Sequence, residues 1–355
     1  MTGLATAALY AGVPDVSAAG YTVQTLNAPG PAARMSGNGA VTGSYQTKCT
    51  TLSSQPHRTY CYYAPWVFDG QQITKLGKQW PSLSDARAYA VNNSLELVGS
   101  DVNGAWLNSA GTVTYTGTLP GGWAGSGNSL SAINNTGMAV GKATNATPQN
   151  RAVTFQNGGS LAEVFFNDPY LANPATESNA VDINDSGLIV GWYIASDKTQ
   201  HGFVVDSSGT VTLIPNLSGA ANCAPGRISR QANPTTGQVL VAGNCYGHAF
   251  IYEYPSGKLT ELATLPGASG PAVAVGAINS SGVAVGTTAS PGGVATVVMW
   301  PAGSTIPTDL NANQAFAPTN ALNLRAIDID EAGTVLTGYN DMSANYYTFL
   351  LHPIP

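Results

Sequence analysis

Short apolar runs alternate with clusters of Gly, Asn, Ser and Thr along almost the whole chain. That pattern predicts many brief β-strands joined by tight turns. One decapeptide recurs: Ala132-Ile133-Asn134-Asn135-Thr136-Gly137-Met138-Ala139-Val140-Gly141 matches Ala277 to Gly286 and, more loosely, Asp182 to Gly191. Degenerate copies end at Gly43, Gly99, Gly243 and Gly338. The seven terminal glycines are 42 to 56 residues apart, so the core pattern repeats while the loops vary. Each copy reads as a strand, an Asn/Gly turn and a small apolar strand, because Asn bonds its own backbone and Gly tolerates φ > 0. A third apolar strand follows, as in Ala249-Phe250-Ile251-Tyr252, then a polar alternating one, as in Lys258-Leu259-Thr260-Glu261-Leu262.

Four antiparallel strands per copy and seven copies predict an all-β, seven-bladed β-propeller. The last copy stops after its third strand, Thr348 to Leu351. The segment Tyr21-Thr22-Val23-Gln24-Thr25-Leu26 has the fourth-strand pattern. This N-terminal strand is therefore expected to complete the last blade and remove an open sheet edge.

Composition changes the picture little. Charged residues are only 9% of the chain and 43% are hydrophobic, with 41 Gly and 22 Pro. The net charge is −6 with 13 Lys and Arg, and there is no basic run, which argues against a nucleic-acid partner. No segment has the length of a membrane span. The stretch GLATAALYAG with Val16-Ser17-Ala18 behind it reads as the end of a secretory signal, without its basic start. Residues 1–18 are thus read as a signal remnant and 19–355 as one domain, secreted to the extracellular space or periplasm and monomeric. Cys49 with Cys61 and Cys223 with Cys245 form two local pairs, expected as loop-stapling disulfides.

The copies together with Gly247-His248-Ala249-Phe250-Ile251 resemble the HAF-repeat extracellular proteins of bacteria. The resemblance covers nearly everything after residue 20. It implies an exported repeat protein and no particular activity. Only this copy reads His-Ala-Phe in full; His201-Gly202-Phe203 is close and Arg151-Ala152-Val153 departs from it.

Candidate chemistry is expected on the face that carries blade-to-blade connections and second-to-third-strand loops, by analogy with other propellers. Five of the seven arginines, Arg34, Arg87, Arg227, Arg230 and Arg325, are expected near the channel mouth there. They could grip the carboxylates or sulfates of an anionic glycan, or tie loops and pair with acids, as Arg34 would with Asp328. The loop 55–60 adds His57, Arg58 and Tyr60, with His57 suited to a general base and Tyr60 to an acid. Trp80, Trp123, Tyr170, Phe166 and Phe316 lie in the connections, where flat rings could stack on sugars or anchor loops. His201 is counted among the ligand contacts, although it shares a repeat position with His248 that suits a role in the blade. Asp182 and Asp328 occupy equivalent inner-strand positions, so a two-carboxylate hydrolase stays in view.

Two readings follow. One is an extracellular polysaccharide-binding propeller, extended to a lyase if Arg87, Arg227 or Arg325 clamps a uronate while His57 and Tyr60 move protons. The other is a non-catalytic interaction or adhesion propeller. No metal site or cofactor motif is present.

Overall fold

The computed structural model describes residues 17–18, 20–52, 55–80, 85–125, 127–164, 177–195, 198–220, 222–268, 273–318 and 320–354. They form a seven-bladed β-propeller of four-stranded antiparallel blades. The inner strands are Ala32–Met35, Arg87–Val91, Ser129–Ile133, Ser178–Ile183, Ala224–Ile228, Val273–Ile278 and Leu322–Ile329, which number blades 1 to 7. In blades 1 to 6 the chain proceeds outward from the inner strand through three further strands. In blade 7 the order is Leu322–Ile329, Val335–Asn340, Tyr346–Pro353 and then Tyr21–Leu26. The closing strand pairs antiparallel along its whole length, from Tyr21 opposite Pro353 to Leu26 opposite Thr348. Ser17–Ala18 adds a short arm beyond it.

Seven apolar clusters hold the ring together, one in each interface between neighbouring blades. Trp66, Trp106 and Trp300 are fully buried in three of them. The recurring glycine has a steric reason. In blades 1 to 6 the inner strand bulges once, for example between Arg87's neighbour Ala88 and Ala90, and throws its backbone toward the second strand. A Cβ at Gly99 would overlap the Arg87 carbonyl and stand 2.6 Å from the Trp106 ring. Real Cβ atoms do not approach so closely, so only glycine lets carbonyl, strand and tryptophan pack together.

The recurring Asn has an equally specific reason. Asn134 Oδ1 accepts from the N–H of Thr136 and Met138 and closes its own turn, while its Nδ2 donates to the Asn184 carbonyl of the next blade at 3.0 Å. Asn92 and Asn279 reach Asn134 and Asp330 in the same way. The following residue makes a second tie. Asn38 N donates to Asn93 Oδ1, Asn93 N to Asn135 Oδ1, and Asn135 N to Asp185 Oδ1. Asp185 N then donates to the Arg230 carbonyl, Gln231 N to Ser280 Oγ, Ser280 N to Glu331 Oε2, and Glu331 N to the Gly37 carbonyl. These seven bonds form a closed belt around the face of the inner-to-second-strand turns.

Asp330 stands where four blades carry Asn, and burial pushes its carboxyl above the usual carboxylate range, against the Thr334 N–H it accepts at 2.7 Å. Folding therefore raises its proton affinity. The folded state gains from this proton at acid pH, and stability falls as pH rises from the unfolded to the folded value. Asp330→Asn keeps an acceptor for Thr334 and gains a donor for blade 1. The variant is expected to be more stable at pH ~7, by about 0.5–1 kcal/mol for one added hydrogen bond. The gain should shrink as the pH is lowered and Asp330 takes up its proton. Urea midpoints of both proteins over a descending pH series check it.

Candidate functional site

The arginines do not gather on one face. They occupy three levels of the channel. Arg34 of blade 1 is buried and bonds Asp182 of blade 4 at 2.5 Å and Asp328 of blade 7 at 3.5 Å. Burial opposes its charge, but the two carboxylates outweigh that and hold its pKa above the ordinary arginine value. Both aspartates are further engaged by backbone. Asp182 accepts from Ile183 and Ile228, and Asp328 from Ile329 and Met35. Carboxylates held by an arginine and two N–H groups each are structural ties between blades, so this pair is not arranged as a hydrolytic acid and base.

The registers show why these groups meet. Counted from the inner-strand bulge, Arg34, Ala90, Ala132, Asp182, Arg227, Ala277 and Asp328 occupy one equivalent position in blades 1 to 7. Two cations and two anions therefore share one level of the ring, while the three alanines there pack into the apolar clusters between blades. Arg227 lies at this level, and Arg230 lies beyond it, at the belt face, where its guanidinium donates to the Met35 carbonyl of blade 1 at 2.6 Å. The expectation of all five arginines at one mouth is thus corrected. Arg34, Arg227 and Arg230 belong to the interior and the opposite end, because they stand in or after the inner strands rather than in the connections.

Arg87 and Arg325 do lie toward the mouth. Arg87 is 43% exposed in its side chain, pairs with Asp85 at 3.1 Å and sits over the Tyr63 ring at 4.0 Å. Arg325 is exposed; its carbonyl accepts from the Thr337 hydroxyl at 2.9 Å, while its guanidinium makes no hydrogen bond or ion pair among the described residues. Blade 7 explains its exposure: an additional register shift between Leu322 and Arg325 turns Leu324 into the core and Arg325 out. Arg325 lines a shallow surface groove between blades 7 and 1, whose enclosed volume is only about 20 Å³, with Asn323, Asn340, Tyr339, Tyr346 and Tyr347. Tyr339 and Tyr347 stack at 4.9 Å, and Asp341 accepts from the Tyr347 hydroxyl at 3.3 Å. That carboxylate raises the Tyr347 pKa. None of these three tyrosines was singled out from the sequence. The adjacent pair Tyr346-Tyr347, just across a hairpin from Tyr339, was the available signal.

Blade 1 contributes a second element on the same face. Its second and third strands, Val41–Leu52 and Gln55–Phe68, are far longer than those of the other blades, and Cys49–Cys61 joins them. Tyr60 lies opposite Thr50 and is 47% exposed. The side chains of His57 and Arg58 lie outside the described residues. The other disulfide, Cys223–Cys245, is fully buried and ties the start of blade 5 to the end of its second strand.

The remaining candidates separate by burial. Trp80 is corrected to a core residue: it is 5% exposed and meets Trp106 edge-on at 4.9 Å, so it offers no face to a ligand. Phe316 is likewise buried. Trp123 is 68% exposed, with its carbonyl held by Asn128. His201 stacks on Tyr193 at 5.3 Å and bonds Thr199 at 2.7 Å, and His248 bonds Glu261 at 2.6 Å. Phe166 and Tyr170 lie outside the described residues. Among the described residues no group of His, Cys, Asp and Glu is placed to hold a metal ion, and no helix is long and apolar enough to cross a membrane.

No protein-family model matches the chain, and no curated protein matches it significantly. Solved structures match the fold. A puromycin hydrolase is similar at 10% identity with a TM-score of 0.52, over 90% of this chain and 51% of that one. TolB from Acinetobacter baumannii is similar at 11% identity with a TM-score of 0.42, over 92% of this chain and 85% of that one. The chain spans about half the length of the hydrolase. At this identity the likeness defines the class, a β-propeller, and goes no further.

Proposed function

We propose that the chain is an exported propeller that binds an anionic extracellular polysaccharide at the groove between blades 7 and 1. One observation carries this reading: Arg325 is exposed and unpaired beside stacked, accessible tyrosines. A guanidinium free of acid partners suits a carboxylate or sulfate, and tyrosine faces with Asn323 and Asn340 suit the ring and hydroxyls of a sugar. Trp123 and the tyrosine-bearing hairpin of blade 1 widen the same face. Two disulfides fit an oxidising compartment and so export. The resemblance to HAF-repeat extracellular proteins agrees with that.

Binding is favoured over cleavage. Of the arginines once considered as uronate clamps, Arg227 is enclosed in the channel and Arg87 is engaged by Asp85 and Tyr63. Among the described residues, the groove that Arg325 lines contains no histidine or carboxylate. Glycan arrays and titration against polyuronates and sulfated glycans test the reading. Arg325→Ala and Tyr347→Ala are each expected to weaken binding about tenfold, the equivalent of ~1.4 kcal/mol. Stability should stay within ~0.5 kcal/mol, since both are surface changes. No binding to any acidic glycan would remove the proposal. A rise in unsaturated-uronate absorbance on incubation would restore the lyase reading.

A further inference from the structure

We infer that the propeller channel holds a small anion at the Arg227 guanidinium. Arg34 and Arg227 share one level of the channel with Asp182 and Asp328, but the pairing there is uneven. Both carboxylates are committed to Arg34 and to backbone N–H groups of neighbouring blades. Arg230 is directed to the Met35 carbonyl. Among the described residues, Arg227 remains without an acid partner. Its one bond runs from Nη1 to the carbonyl of adjacent Gly226 at 2.9 Å, and its Nε is buried without any partner.

A buried guanidinium nitrogen with nothing to donate to is costly, and the full cation stays charged whatever the pH. Burial pushes the Arg227 pKa down, the nearby Arg34 pushes it further, and Asp328 and Asp182 offset this only in part. Access is open as well, because Arg227 and Gly226 keep partial solvent contact although protein surrounds them. A halide or a small carboxylate meets these conditions. A long polyanion does not, since Arg34 and its aspartates already cross the channel.

Crystals of the full chain soaked in sodium bromide, measured at the bromine edge, locate such an ion directly. Bromide in contact with the Arg227 nitrogens is the expected result. A water on Nε with no bromide there would overturn the inference. A melting series in sodium bromide and in sodium acetate gives an independent reading and separates halide from carboxylate. The wild type should show a saturable upward shift of about 2 °C beyond that of Arg227→Met, which shares all other salt effects. Equal shifts in both proteins would count against the site. If Arg227→Met does not fold, Arg227→Lys replaces it, with a weaker saturable shift expected because one ammonium cannot present two parallel donors.

Discussion

Arg34→Ala is expected to destabilise the propeller by about 3–5 kcal/mol, the usual result of removing one partner from a buried ion pair. The size follows from what is left behind. Asp182 and Asp328 are each almost fully buried, and the variant would strand both carboxylates in the channel with only backbone donors. Both must then stay charged at a desolvation penalty or take up protons. The loss should therefore be largest near pH ~7 and smaller in acid, where protonation relieves the stranded charge. Adding Asp182→Asn and Asp328→Asn should recover part of the stability, because asparagine still accepts the N–H of Ile228 or Met35. Urea unfolding at two pH values measures all three quantities. A loss below ~1 kcal/mol would mean that water, rather than the arginine, satisfies these acids.

Removal of residues 1–26 is expected to abolish the monomeric fold. The closing strand supplies the outer edge of blade 7, with Tyr21 and Leu26 both buried. Those two side chains alone contribute about 3–6 kcal/mol, before the six paired positions of the strand are counted. The third strand of blade 7, Tyr346–Pro353, would be left with open backbone groups, an invitation to pair with another chain. Truncated protein should therefore appear as aggregates or strand-exchanged oligomers in light scattering. A synthetic peptide covering residues 20–30 should restore the monomer. Likewise, a circular permutant with this strand moved behind Pro355 should fold normally. A soluble, cooperatively melting monomer without the strand would contradict the closure.

The blades and the closure were legible because a single steric requirement, glycine beneath an inner-strand bulge, recurs in sequence at nearly constant spacing. The disulfides were legible because each pair is local. The positions of the arginines were not. Arg34, Ala90, Ala132, Asp182 and Ala277 all lie nine residues before their glycine, which places them on one level. Blade 5 hides this regularity: a longer turn around Asn233–Gln238 separates Arg227 from Gly243 by sixteen residues. The pairing of Arg34 with Asp328 was foreseen from neighbouring blades. Its shorter contact, with Asp182, comes from blade 4, and only the closed ring brings those strands within reach. Trp80 was misplaced for a related reason. It follows a connection in sequence, yet the turn at Gly77–Gln79 folds it back between blades 1 and 2.

The uneven charges of the channel also act as a count of the repeats. The blades share one backbone plan, and a repeat chain can gain or lose a copy by duplication or by exchange between molecules. Arg34 spans from blade 1 to blade 4 and to blade 7 at once. An extra blade on the short arc would widen the channel and draw Asp182 out of reach. A missing one would bring the wrong residue opposite. Either change leaves an unpaired charge in the interior. Seven copies are thus specified twice, once by curvature and strand exchange at the seam, and once by which charges find each other across the axis.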